Sequence, residues 1–381
     1  MLREAHSGYV DFGTWSGIAA YRADALEELR SADSIILDCD GTLVDVRRSY
    51  PVAAVESARF LAVVSGHPTP PAPALSQLVP TLKESGLFNN DWDTALALYL
   101  AWVKHVEDGR QLAEAALELA SISDPAELYE MGREFSGNLL DGCPGPPPRC
   151  YLSSVFDSIY YGLRLYTELY SSPPPIPIDH GLLEDESSMV GAVDLRALAA
   201  RFNGSIGVIT GRPRRAVRGP LLELLGPMMA GGRVFFTEEL GVQKPDPRPL
   251  LEAVSKMGSR SVIYVGDSAE DLLMVERSVT MGLRASFVGV YGAALDPGRA
   301  FRWFASRGAS AIIPSPGTLH LLLDRRWISR ARPPPRLASS GTAHPARRPN
   351  PSSGAPAPGH PLSCPRSPGT SSRTRPVSAR T

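Results

Sequence analysis

The sequence predicts an α/β protein: an open parallel sheet whose first strand is followed by a long helical insertion. Three observations carry this. Short apolar runs at 34–37, 205–209, 234–237, 261–265, 287–291 and 311–314 have the length of buried strands, and from Gly191 onward they alternate with segments of helical spacing. Between the first two runs lie residues 46–190, mostly helical in apolar spacing and far longer than a connection between neighbouring strands. The first run ends in two carboxylates and a glycine, Asp38-Cys39-Asp40-Gly41, at the edge where an open α/β sheet binds its ligands.

Composition sets the outer limits. A chain of 381 residues can bury a substantial core and has room for two domains or one domain with a large insertion. Hydrophobic residues are 43% and charged residues 21%, an ordinary globular mixture. The net charge of -1 hides an asymmetry: from Ala331 to the end there are eight arginines and no acid, so the body is mildly acidic and has no general nucleic-acid footprint. A membrane partner is likewise not expected, because no run has the length of a span and the N-terminus lacks the apolar core of a signal peptide. The expected location is the cytoplasm. Cys39, Cys143, Cys150 and Cys364 form no zinc-type array. Cys143 and Cys150 flank a PGPPP run and can reach one another, but free thiols are the expectation for a cytosolic chain.

Taken in order, residues 1–33 form an N-terminal extension before the first recognisable strand, with a short amphipathic helix over 23–30. The strand at 34–37 begins the core, which comprises 34–45 and 191–327. Residues 46–190 form a helical cap, with helices over 90–106 and 155–170 and proline clusters near Pro70, at 144–148 and at 173–177 that mark loops or stiff connectors. Within it, FNNDWD (88–93) reads as a helix start with Asn89, Asn90 or Asp91 as N-cap and Trp92 buried, ahead of a role in substrate contact. The stripe Phe156, Tyr160, Tyr161, Tyr166 and Tyr170 reads as core. Helices over 192–202 and 248–257 alternate with the later strands. Residues 328–381, dominated by Pro, Ser and Arg with few aliphatic side chains, are expected to be disordered.

The chemistry-bearing residues sit at strand ends. Alternate residues of an extended chain face the same side, so Asp38 and Asp40 can reach one pocket. An aspartate there can attack phosphorus, and a second two residues on can move a proton to and from oxygen. Thr210, beside Gly211 in VITGRP, suits a phosphate oxygen through its hydroxyl and the free N–H groups near it. For Arg212, with Arg214 and Arg215 beside it, a solvated basic face and phosphate binding weigh equally. Lys244 in QKPDP is placed by a stiff loop, and Asp267 and Asp271 of VGDSAEDLLM share a helical face at i and i+4.

DCDGTLVD, with Thr210, Lys244 and the Asp267/Asp271 pair downstream in that order, resembles the signatures of the haloacid dehalogenase-like hydrolases, in particular phosphatases of the phosphoglycolate phosphatase-like subgroup. The resemblance implies a Rossmann-like parallel sheet core with an inserted α-helical cap domain that closes over the pocket. It implies a magnesium-dependent phosphatase acting on a small phosphorylated metabolite, with Asp38 as nucleophile and Asp40 as acid/base. Thr210, Gly211 and Lys244 would bind the phosphoryl group. Magnesium would be held by Asp38, the backbone carbonyl of Asp40 and Asp267, with Asp271 either a further ligand or an orienting group. Having Asp40 argues against carbon–halogen chemistry, and the cap lysine that a phosphonatase needs has only Lys83 and Lys104 as weak candidates. Phosphomutase-type transfer uses the same four motifs and stays open beside hydrolysis, as does a non-catalytic binding protein. Phosphoglycolate and histidinol phosphate are the candidate substrates, the second because FNNDWD resembles a subgroup with members associated with histidine biosynthesis.

Overall fold

The computed structural model describes residues 8–14, 17–86, 88 and 90–324. Asn89 and the segment 328–381 lie outside the described residues, so neither the capping alternative at Asn89 nor the expected disorder of the tail is addressed by it.

Among the described residues ten strands form: β1 (Tyr9–Thr14), β2 (Gly17–Arg22), β3 (Ser34–Leu37), β4 (Val44–Asp45), β5 (Ser187–Ser188), β6 (Ile206–Thr210), β7 (Val234–Phe236), β8 (Ser261–Gly266), β9 (Arg284–Val290) and β10 (Ala311–Ile313). Eight of them make one sheet in the order β1-β2-β10-β9-β8-β3-β6-β7. The stretch from β10 to β7 is parallel throughout, and β1-β2 is an antiparallel hairpin paired to β10. From β3 the chain first builds outward through β6 and β7, then returns to the other side of β3 to add β8, β9 and β10. The reversal opens a crevice at the carboxyl ends of β3, β6 and β8, where ligands bind in such sheets. β3 reads SIIL and is buried at every position, as a central parallel strand covered on both faces must be.

The hairpin corrects the expectation that residues 1–33 precede the first strand. Its strands read YVDFGT and GIAAYR: the first alternates only loosely on an exposed edge, and the second is rich in small residues of low strand propensity. Pairing with β10 supplies what the local sequence does not. The predicted helix is present at Leu26–Ser31.

Between β4 and β5 lies the helical insertion, including Tyr50–Val64, Asp91–Asp108, Ala126–Ser136 and Tyr151–Tyr170. It has its own apolar core around Phe88, Leu96, Tyr99, Phe156 and Tyr160, separate from the clusters on the two faces of the sheet. β4 and β5 pair antiparallel, Val44 with Ser188 and Asp45 with Ser187, so the chain leaves the sheet and returns to it side by side. No helix among the described residues is long and apolar enough to cross a membrane.

A second correction concerns the cysteines. Cys143 and Cys150 form a disulfide, with Cα atoms 4.7 Å apart, where free thiols were expected. The PGPPP run folds back in a turn, with the Arg149 N–H donating to the Pro146 carbonyl at 3.2 Å. The Ser153 hydroxyl then ties Gly145 to the start of the next helix at 2.9 Å, so the ends of the run meet. Cys39 is free and buried.

Candidate active site

β3 carries the site because its end cannot stay extended. The Cys39 carbonyl accepts from the N–H groups of Thr42, Leu43 and Val44, a tight turn that requires Gly41 at φ 76°. A Cβ at Gly41 would stand 1.9 Å from Oδ2 of Asp267, so this glycine also lets the end of β8 approach the end of β3. Asp38 and Asp40 thereby face the residues that follow β6 and β8.

Asp38 is buried and its N–H donates to the Val265 carbonyl at 2.8 Å. Lys244, also buried, donates to Oδ1 of Asp38 at 2.5 Å and to Oδ1 of Asp271 at 2.7 Å. Burial first, and then repulsion from Asp271, push Asp38 up to about 7 against the pull of Lys244. Burial opposes the charge on Lys244, but Asp271 and Asp38 more than offset it and hold the ammonium well above its ordinary range. Asp267 is raised well above the usual carboxylate range by burial and by Asp38 and Asp271.

Carboxylate oxygens of Asp38, Asp267 and Asp271 lie within 4.8 Å of one another. Asp38 and Asp271 share the ammonium of Lys244, and Asp267 has no hydrogen-bond or ion-pair partner among the described residues. Three oxygen donors with excess negative charge and one unpartnered member fit a hard divalent cation. Asp271 is the most tied of the three. Its oxygens accept from Lys244, from Tyr264 OH at 2.8 Å and from Ser268 Oγ at 2.7 Å, and it closes a capping box at the start of Ala269–Thr280. That leaves it suited to orient Lys244 more than to bind an ion.

Thr210 is fully buried at the end of β6, and its Oγ1 accepts from the Arg212 N–H at 3.0 Å. Gly211 follows it in the exposed turn. The basic-face reading of Arg212 is wrong: its side chain is 1% exposed. The guanidinium donates through Nε to Oδ1 of Asp40 at 3.1 Å and through Nη2 both to the same oxygen and to Glu186 at 2.8 Å. Arg214 pairs instead with Glu239, and Arg215 reaches the Leu169 carbonyl.

Sequence reasoning missed Glu186, which stands just before β5. It gathers Arg212, the Ser49 hydroxyl at 2.7 Å and Tyr160 OH at 2.9 Å. Nothing in LLEDESS distinguishes it from Glu184 or Asp185. The aromatic stripe packs as core, as read, but two of its hydroxyls reach carboxylates: Tyr160 that of Glu186 and Tyr170 that of Asp157. In FNNDWD, Asn90 caps the helix through the Trp92 N–H at 3.0 Å, and Trp92 Nε1 donates to Asp157 at 3.0 Å. Asp91 pairs with Lys83 at 2.7 Å and Asp93 accepts from Tyr129. The motif is thus engaged in capping and internal bonds, and Trp92 is partly rather than fully buried.

Residues 186–278, which hold Thr210, Lys244, Asp267 and Asp271, match the family model of haloacid dehalogenase-like hydrolases. Over that segment, a minority of its length, the chain is similar to that family. It has the α/β core of these hydrolases, with the helical region inserted between β4 and β5. Among solved structures, the phosphatase Tt82 from Thermococcus thioreducens is 25% identical, with a TM-score of 0.48 over 72% of this chain and 99% of that one. A HAD family hydrolase from Deinococcus radiodurans, solved with phosphate and sodium bound, is 15% identical, with a TM-score of 0.40 over 77% of this chain and 95% of that one. An imidazoleglycerol-phosphate dehydratase from Phytophthora nicotianae is 23% identical over 246 residues, 63% of this chain. The match spans 40% of that relative's length.

Proposed function

We propose that this hydrolase is a magnesium-dependent phosphatase that cleaves a small phosphomonoester through an aspartyl-phosphate on Asp38. The observation that carries the reading is the meeting of Asp38 and Asp40, at the end of β3, with Asp267, at the end of the neighbouring β8, and with Lys244 from the loop that follows β7, one ammonium set against the carboxylates. An oxygen of Asp38 attacks phosphorus and the bond to the ester oxygen breaks. Asp40 gives its proton to the departing alkoxide. It then takes a proton from water, which attacks the aspartyl-phosphate, so that inorganic phosphate leaves and the Asp38 carboxylate returns. Lys244 offsets negative charge on Asp38 and on the transferring group, Thr210 and the N–H of Gly211 donate to phosphoryl oxygens, and Asp271 holds Lys244 in place. Bound by Asp38, Asp267 and the backbone carbonyl of Asp40, the divalent ion would add positive charge where the phosphoryl oxygens need it.

The substrate is proposed at the level of class. The similar dehydratase acts, by its name, on an imidazole-bearing phosphate, which keeps histidinol phosphate beside phosphoglycolate as a candidate. The deciding experiment is phosphate release from a panel of phosphomonoesters including both, with and without magnesium. Magnesium-dependent release that is abolished in Asp38→Asn is expected. Sugar-phosphate interconversion without release would point to phosphoryl transfer, and no reaction with any ester would refute catalysis of this kind.

A further inference from the structure

We infer that Arg212 is a positioning residue for the acid/base carboxylate Asp40, and that Glu186 ties its setting to the strands through which the chain enters and leaves the helical insertion. The inference rests on the reaction proposed above and adds to it two residues and a coupling. Arg212 places two nitrogens on a single oxygen of Asp40, Oδ1. Oδ2 has no partner among the described residues, and the Asp40 side chain keeps 23% exposure while that of Arg212 has 1%. One oxygen is therefore fixed and the other is left for the proton that moves.

The guanidinium is itself fixed from the insertion side. Glu186 takes its Nη2 with Oε2, while its other oxygen accepts from Ser49 and Tyr160. The Tyr50 ring lies 5.8 Å from the guanidinium carbon and stacks on Tyr160 at 4.4 Å. Glu186 adjoins β5 and Ser49 follows β4, so the contacts straddle both crossings between sheet and helices. A shift of the helices relative to the sheet cannot leave all these bonds intact, and what it releases is the group that orients Asp40. Stability alone is a poor account of the cluster, because buried ion pairs contribute little over apolar packing.

The test compares Arg212→Lys, Arg212→Met and Glu186→Gln with the parent on two esters. One is p-nitrophenyl phosphate, whose leaving group needs no proton. The other is the alkyl phosphate of highest kcat/KM in the panel. Positioning of the acid predicts that kcat on the alkyl ester falls about 100-fold in both Arg212 variants and about 10-fold in Glu186→Gln, with KM little changed. Lysine keeps the charge without the fork and does not rescue. With p-nitrophenyl phosphate the variants should release one p-nitrophenol per active site in a burst and then turn over slowly, since the water step still needs Asp40. Burst amplitude and alkyl kcat falling together would mean lost folded enzyme and overturn the inference, as would an alkyl kcat unchanged in all three. An inactive parent would refute the proposed reaction itself, which the variants cannot do.

Discussion

Asp157, deep in the helical insertion, is pushed up to about 7 by burial, with the hydrogen bonds from Tyr170 and Trp92 pulling the other way. Between the ordinary aspartate value of 3.8 and about 7, the folded form holds a proton that the unfolded chain has released. Stability from this group is therefore lost as pH rises across that window and is level above it, by about 4 kcal/mol at most. Asp157→Asn cannot ionise, so its melting temperature relative to the parent should be higher at pH 8 than at pH 5. A pH-independent difference would contradict this. Gly41 gives a second prediction at this scale. Gly41→Ala sets a methyl against Asp267 at a φ that L-residues rarely adopt, and should cost about 1 kcal/mol or more, together with most magnesium-dependent activity. Denaturant unfolding and phosphate release measure the two losses.

Among elements, the helix Asp91–Asp108 has a start fixed by side chains, since Asn90 caps it and Trp92 bonds across to Asp157. Asn90→Ala should lower stability by about 1 kcal/mol and leave kcat unchanged, if FNNDWD is structural. A fall in kcat/KM without a fall in melting temperature would instead assign the motif to substrate. The strands of the parallel sheet were legible because each is a short, largely apolar run, and Ser34–Leu37 matches the reading end to end, as does the helix Arg248–Met257. The hairpin β1-β2 was not, because its pairing energy comes from β10, some 290 residues on, and leaves little mark on local alternation. Asp38, Asp267 and Asp271 could be read as neighbours because they follow apolar runs that become the adjacent strands β3 and β8. Arg212 and Glu186 could not: a buried arginine and a surface one look alike until the carboxylates that pay for its burial are placed beside it.

At the scale of the molecule, the carboxylate cluster is an electrostatic load that a bound divalent ion would relieve. Magnesium should raise the melting temperature of the parent and a chelator should reverse the gain, while Asp267→Asn should lose most of the shift. An equal shift in the variant would show that the ion binds elsewhere. The pairing of β4 with β5 has a consequence for how such a chain can diversify. Because Val44 and Ser188 are neighbours, the chain enters and leaves the insertion at one short closed pair, whatever length of chain lies between. Helices can be added, exchanged or removed there without moving a strand or altering a register, so the residues at the strand ends can be inherited intact while the insertion is rewritten.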